Sequence, residues 1–275
     1  MNLGELVKSY INIGYKMIDA EAKVCQDIIL IKISKSPFYN NVTIKGGVVM
    51  HSISNDKRRA TKDLDIDFIR YSLSDESILA FISKLNFSDD DITIEVIKDI
   101  IELKQQDYHG KRVFVKLTDK FNNELNTKLD IGVHNNFDIV QDEYCFELSA
   151  IKESATLLIN SCEQIFTEKL KSLLRLGGVS TRYKDILDFY YLINIGNINK
   201  IKLIKYFEIM IFKDPNMSEN NINDIYNILK IILKKKRYLD NFNTIKNNWL
   251  ELPIEGVVDN ILKFIQELET NAIYN

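Results

Sequence analysis

The residues that most constrain this chain run from Arg59 to Phe68, in the order Arg-Ala-Thr-Lys-Asp-Leu-Asp-Ile-Asp-Phe. At the strand period of two, Asp63, Asp65 and Asp67 point to one side while Leu64, Ile66 and Phe68 point to the other. The apolar side can pack on a core. The other side crowds three carboxylates together, and like charges at that spacing repel. A hard divalent cation such as Mg²⁺ takes carboxylate oxygens and offsets the repulsion, so the stretch reads as a metal-holding strand. The alternative is an edge strand whose acids face water.

A chain of 275 residues is long enough for one large domain or two modest ones, each with a sizeable core. The formal net charge of -3 announces no nucleic-acid partner through a global field, although local patches still can. Cys25, Cys145 and Cys162 lie far apart in no paired spacing, which excludes a disulfide scaffold or a zinc cluster and fits a reducing cytoplasm. No uninterrupted apolar run is long enough for a bilayer, and the N-terminus lacks the basic start and cleavage site of a signal peptide. A cytoplasmic protein without a membrane partner is the expectation.

From Leu3 to about Ile33, apolar residues recur at helical steps (Leu6, Tyr10, Ile13, Met17, Ala20, Val24, Ile28), predicting one or two amphipathic helices that Ser36-Pro37 ends. Val42 to Ile44 reads as a short strand leading through Lys45-Gly46-Gly47 into a helix that Val48-Val49-Met50 can start. A strand, paired glycines and a helix let the backbone approach a ligand closely and aim free N–H groups at an anion. Alone, such a pair is more often a tight turn. Its place shortly before the acidic strand suggests phosphate and metal on two sides of one cleft.

Asp75 to Leu85 reads as a helix; Ile92 to Ile97, Lys111 to Leu117 and Thr127 to Val133 read as strands, with turn residues at Asp107 to Gly110. In the last strand Leu129, Ile131 and Val133 face the core, so Asp130 faces the other way and is a candidate to join Asp63 and Asp65. Beyond about residue 155 the pattern is helical: roughly 163–176, 184–193, 201–211, 219–238 and 257–269. The expected organisation is a mixed α/β domain over 1–155 and a helical domain over 156–275.

In the first of these helices Ile165, Phe166, Leu170, Leu173 and Leu176 share one arc, and Lys169 falls inside it. Such a lysine must snorkel out or find an anion. After Gly177-Gly178, Ser180 or Thr181 can cap the next helix, and Asp185 sits near its first turn, where a helix dipole favours an acid without any functional role.

Four segments stand in order: Lys45-Gly46-Gly47; Arg59-x-Thr61-x-Asp63-Leu64-Asp65; Tyr108-x-Gly110 followed by Leu129-Asp130-Ile131-Gly132; and Glu168-Lys169-Leu170 followed by Arg182-x-Lys184-Asp185. Together they resemble the nucleotidyltransferase toxins of the AbiEii/AbiGii family, relatives of the MenT toxins, over roughly residues 40–195. Val48 departs from the family, which usually carries a small hydroxyl residue there, and the departure bears on any side-chain contact to phosphate. The resemblance implies an α/β (α+β) nucleotidyltransferase-like core with a mixed sheet, plus a C-terminal helical bundle. It also implies transfer of a nucleoside monophosphate from an NTP to an acceptor hydroxyl, with release of pyrophosphate. On that basis Asp63, Asp65 and Asp130 are the expected Mg²⁺ ligands, with Asp130 also taking the acceptor proton. Gly46 and Gly47 would cradle phosphate, Lys169 would neutralise pyrophosphate, and Asp185 would orient Lys169 or the nucleotide. Lys45, Thr61, Arg182 and Lys184 are further nucleotide-binding candidates. Asp67 reads as a bystander, and His134 shares strand parity with Asp130.

By analogy with family members that modify tRNA 3′ ends, tRNA is the expected acceptor, and a cognate antitoxin the expected partner. From Lys200 to Lys246 ten Lys/Arg face five Asp/Glu, with Lys234-Lys235-Lys236-Arg237 adjacent, which suits a phosphate backbone or a merely solvated helix face. The competing readings are a transferase acting on a small molecule such as an antibiotic, and a nucleotide-binding module without turnover.

Overall fold

A computed structural model describes residues 1–86, 91–103, 110–177, 183–236, 239–240, 242 and 248–273. The chain divides into two compact units, Met1–Asn160 and Ser161–Asn275.

The first unit opens with α1 (Leu3–Asn12) and α2 (Met17–Lys35). They are two helices because Gly14 turns the chain at φ +101°, a region open to glycine and costly to any residue with a Cβ. The break resets the helical phase. Tyr10, Ala20, Val24 and Ile28 of the expected apolar stripe are buried, but Ile13 and Met17 at the corner are exposed. α2 is buried on every side from Val24 to Ile33, polar residues included.

The strands are β1 (Val42–Lys45), β2 (Leu64–Ile69), β3 (Ile92–Val96), β4 (Ile101–Leu103), β5 (Gly110–Asp119), β6 (Glu124–His134), β7 (Asp142–Leu148) and β8 (Glu153–Ile159). They form one mixed sheet in the order β3-β5-β6-β2-β1-β8-β7, with β4 on β5. β2 runs parallel to β6 and β1 parallel to β8; the remaining pairs are antiparallel. Helices α3 (Gly46–Ser54) and α4 (Asp75–Leu85) complete the unit. Ile44, Leu64, Ile66, Phe68, Val113, Val115, Leu129 and Ile131 are all fully buried on the apolar face. Phe68 meets Phe81 of α4 edge-on at 5.1 Å, and Phe81 meets Phe38 at 5.5 Å.

A buried carboxylate ties the start of α1 to the β5–β6 turn. Asp119 accepts hydrogen bonds from the backbone N–H of Leu3 (2.8 Å), Phe121 (2.8 Å) and Asn123 (2.9 Å), and from the Asn123 amide (2.8 Å). Burial works against its charge. The hydrogen bonds outweigh burial and hold its pKa down at about 2.

The second unit is helical: α5 (Cys162–Leu176), α6 (Tyr183–Asn194), α7 (Lys200–Phe207), α8 (Ile222–Leu233) and α9 (Ile254–Ile273). α7 runs on into a π-helical turn at Glu208–Phe212. Ser161 caps α5 by accepting the Gln164 N–H at 3.3 Å. Phe166 of α5 is the hub of the core, with Phe189 at 4.7 Å, Phe264 at 6.1 Å and Phe207 at 6.2 Å. Leu176, expected on the apolar arc of α5, is the last residue of that helix and is 43% exposed.

Candidate active site

Strand register assembles the candidate residues. Lys45 pairs with Asp65, Asp65 with Asp130, and Asp130 with Arg112. Paired residues point to the same side of a sheet, and neighbouring strands lie ~4.8 Å apart. One row across β1, β2, β6 and β5 therefore reads Lys, Asp, Asp, Arg. Asp63, two residues before Asp65, faces the same side and meets Lys128 Nζ at 3.1 Å. The acids of β2 and β6 do share one face.

Their repulsion is not left to a metal to relieve. Arg112 grips Asp130 with both arms, Nε to Oδ1 and Nη2 to Oδ2, each at 2.7 Å. That hydrogen bonding, with the negative charges of Asp130, Asp63 and Asp65 adding, pushes the Arg112 pKa up. Lys45 Nζ lies 2.6 Å from Asp67 Oδ1, both side chains being almost wholly buried. Asp67 is therefore no bystander. It anchors the lysine that precedes the paired glycines, and such a buried pair breaks at a cost of ~3–5 kcal/mol when one partner is removed. Parity along β6 puts Lys128 on the side of Asp130, but its contact with Asp63 needs the β2–β6 register. Arg112 is found only from the β5–β6 register, which follows once the 119–124 turn is known.

The paired glycines have a steric reason. Gly46 sits at φ +65°, and a Cβ there would lie 2.5 Å from Asp65 Oδ2; a Cβ on Gly47 would lie 2.7 Å from Thr61 Oγ1. Both glycines thus let the start of α3 close against the acidic strand and the segment before it. Gln26 of α2 donates to the Thr61 carbonyl at 2.8 Å, holding that segment in place. Val48 is buried, so its side chain offers phosphate no contact.

Asp65 and Asp130 fit a hard divalent cation by donor chemistry: two carboxylates on adjacent parallel strands, in one row, on one side, with Asp63 one row away. Among the described residues, no three His, Cys, Asp or Glu side chains are gathered closely enough to cage a metal. Asp63 and Asp130 turn instead to Lys128 and Arg112. His134 is not part of the row. It lies four residues, or ~13 Å, further along β6, with Nε2 3.1 Å from the Ile139 carbonyl.

In the second unit Lys169 has found its anion. Its ammonium is hydrogen-bonded to Asp185 and lies 3.0 Å from Asp188, which is fully buried. Asp188 escaped the sequence reading, although its i, i+3 spacing from Asp185 on α6 puts the two on one helix face. Lys184 stands half-buried in the first turn of α6. Arg182, with Gly178, Ser180 and Thr181, lies outside the described residues, as do the turn at 107–109, Arg237 and Lys246.

None of the curated proteins compared with the chain matches it. Among solved structures it is similar to an antigenic nucleotidyltransferase-like protein from Paracoccidioides brasiliensis, at 16% identity and a TM-score of 0.40, covering 81% of this chain and 91% of that one. The family model described as "Nucleotidyl transferase AbiEii toxin, Type IV TA system" matches residues 28–244, which hold the acidic strand, the paired glycines, Asp130 and the Lys169–Asp185 pair. The chain belongs to that family of toxin–antitoxin nucleotidyltransferases.

Proposed function

We propose that the protein is a Mg²⁺-dependent toxin that transfers a nucleoside monophosphate from an NTP to a hydroxyl of RNA, with the 3′ end of tRNA as the acceptor. The observation that carries this reading is the row placing Asp65 and Asp130 side by side, with the paired glycines closing on Asp65. Asp65 and Asp130 would hold the cation, with Asp63 in support. Magnesium, when bound, supplies charge neutralisation at the attacking and leaving oxygens. The acceptor oxygen attacks the α-phosphorus, the bond from that phosphorus to the oxygen bridging to the β-phosphate breaks, and pyrophosphate leaves. The acceptor proton passes to a carboxylate of the row, for which Asp130 is the candidate. Backbone N–H groups at Gly46 and Gly47 offer the phosphates donors at a helix N-terminus.

The roles of Lys169, Lys184 and Asp185 rest on the order of motifs along the chain. The RNA acceptor is supported by the exposed Lys234, Lys235 and Lys236 at the end of α8. No helix among the described residues is long and apolar enough to cross a membrane. A cognate antitoxin accompanies the family. Incubation with each α-labelled NTP, Mg²⁺ and total tRNA tests the reading. Label should enter RNA with the wild type, fall by ~100-fold in Asp65→Asn, and vanish with chelator. Pyrophosphate release that ignores RNA but responds to a small hydroxylated acceptor would move the substrate to the alternative class. Equal labelling by Asp65→Asn would overturn the site.

A further inference from the structure

Arg112 lies outside all four motif segments, yet it makes a two-bond contact with a carboxylate of the acidic face. Both oxygens of Asp130 are engaged by its fork, and a divalent cation placed on the same carboxylate would stand within a few ångströms of the guanidinium. Two positive groups cannot share that position without repulsion. The three basic side chains paired with Asp67, Asp130 and Asp63 also differ in freedom. Lys45 is only 7% exposed and held by Asp67, whereas the Arg112 side chain is 30% exposed and can swing out through solvent, leaving the buried Asp130 carboxylate for the divalent cation to take. Lys128 holds Asp63 through a single contact and leaves Asp130 untouched. A guanidinium matches phosphate as well as it matches carboxylate, with the same planar fork.

We propose that Arg112 is a placeholder cation. It occupies Asp130 in the nucleotide-free protein, and moves to a phosphate oxygen of the incoming nucleoside triphosphate as the divalent cation takes over that carboxylate. The inference rests on the reading of Asp65 and Asp130 as cation ligands. Arg112 is then a positioning residue for the metal site and a contact of the substrate in turn. Nucleotide binding frees Asp130, metal binding frees Arg112, and by linkage each ligand strengthens the other.

The test titrates Mn²⁺ into the full-length protein without nucleotide, following free Mn²⁺ by electron paramagnetic resonance. Arg112→Gln should bind Mn²⁺ about three- to tenfold more tightly than wild type, the range expected for removing a partly exposed bidentate competitor. Arg112→Lys should fall between. A non-hydrolysable NTP analogue should tighten Mn²⁺ binding in wild type by more than in Arg112→Gln, the two gains differing by about the same factor. A purely structural arginine would loosen the site on removal. Equal or weaker Mn²⁺ binding by Arg112→Gln, with binding still abolished in Asp130→Asn, would overturn the placeholder while leaving the metal site standing. Mn²⁺ binding that neither Asp65→Asn nor Asp130→Asn weakens would overturn both.

Discussion

Gly46 shows how one missing side chain shapes the site. Alanine there would force a Cβ into the left-handed region, at ~1–2 kcal/mol, and would press it against Asp65 Oδ2. Gly46→Ala should therefore lower stability modestly, and lower the transfer rate by ~100-fold through displacement of the carboxylate. A thermal melt and an initial-rate assay separate the two effects, and a rate loss no larger than the lost folded fraction would deny the glycine its role. His51 makes a different kind of prediction. It is buried, its Nε2 lies 2.9 Å from the Tyr15 hydroxyl, and burial, with the charges of Lys23 and Arg59 adding, lowers its pKa to about 4. The folded protein thus keeps His51 neutral where the unfolded chain protonates it, near pH 6.5. Its contribution is fully present above pH 6.5 and is lost as pH falls toward 4. Between pH 7 and pH 4.5 the wild type should lose ~2 kcal/mol relative to His51→Gln, read from urea midpoints. Asp27, whose pKa burial raises, works in the opposite sense and cancels in the comparison. An unchanged difference would mean that His51 is charged when folded.

At the scale of elements, legibility followed the contrast between faces. Asp63 to Phe68 declared a strand because its two sides carry opposite chemistry, and Asp75 to Leu85 declared a helix with both ends as found. β7 and β8 carry no turn signal between them. The tight turn at 149–152 that joins them has no glycine, proline or asparagine, and Lys152 itself takes the left-handed position at φ 59°. β4 offers only three half-exposed or exposed residues, too few to show a period. The single long helix allowed by the apolar steps of 3–33 became two because Gly14 lies between them. The contact that fixes α1 to the β5–β6 turn was invisible in the sequence, since Asp119 and Leu3 are far apart along the chain. Asp119→Ala leaves three backbone N–H groups and one side-chain amide without their acceptor, and should cost about 2 kcal/mol. Chemical denaturation measures that loss, and a change under a few tenths of a kcal/mol would mean that water replaces the carboxylate freely.

Across the whole molecule, the chain's small net charge conceals a strongly patterned active face. The parity of Asp63, Asp65 and Asp130 was readable from one strand at a time. The compensation by Lys45, Arg112 and Lys128 was not, because it depends on the pairing of four strands that the sequence does not register against one another. This changes the physical argument. The acids are paired with the protein's own cations, and on the proposed reading a divalent cation and nucleotide would exchange with those partners. The account's central claim is that Asp65 and Asp130, from two separate strands, act as one unit in nucleotidyl transfer. A double-mutant cycle on the rate of NMP transfer tests it most directly. Asp65→Asn and Asp130→Asn should each abolish most of the rate, and the double variant should be no slower than the slower single one, as expected for groups that serve one function. Losses that multiply, or a single variant that retains the wild-type rate, would contradict it.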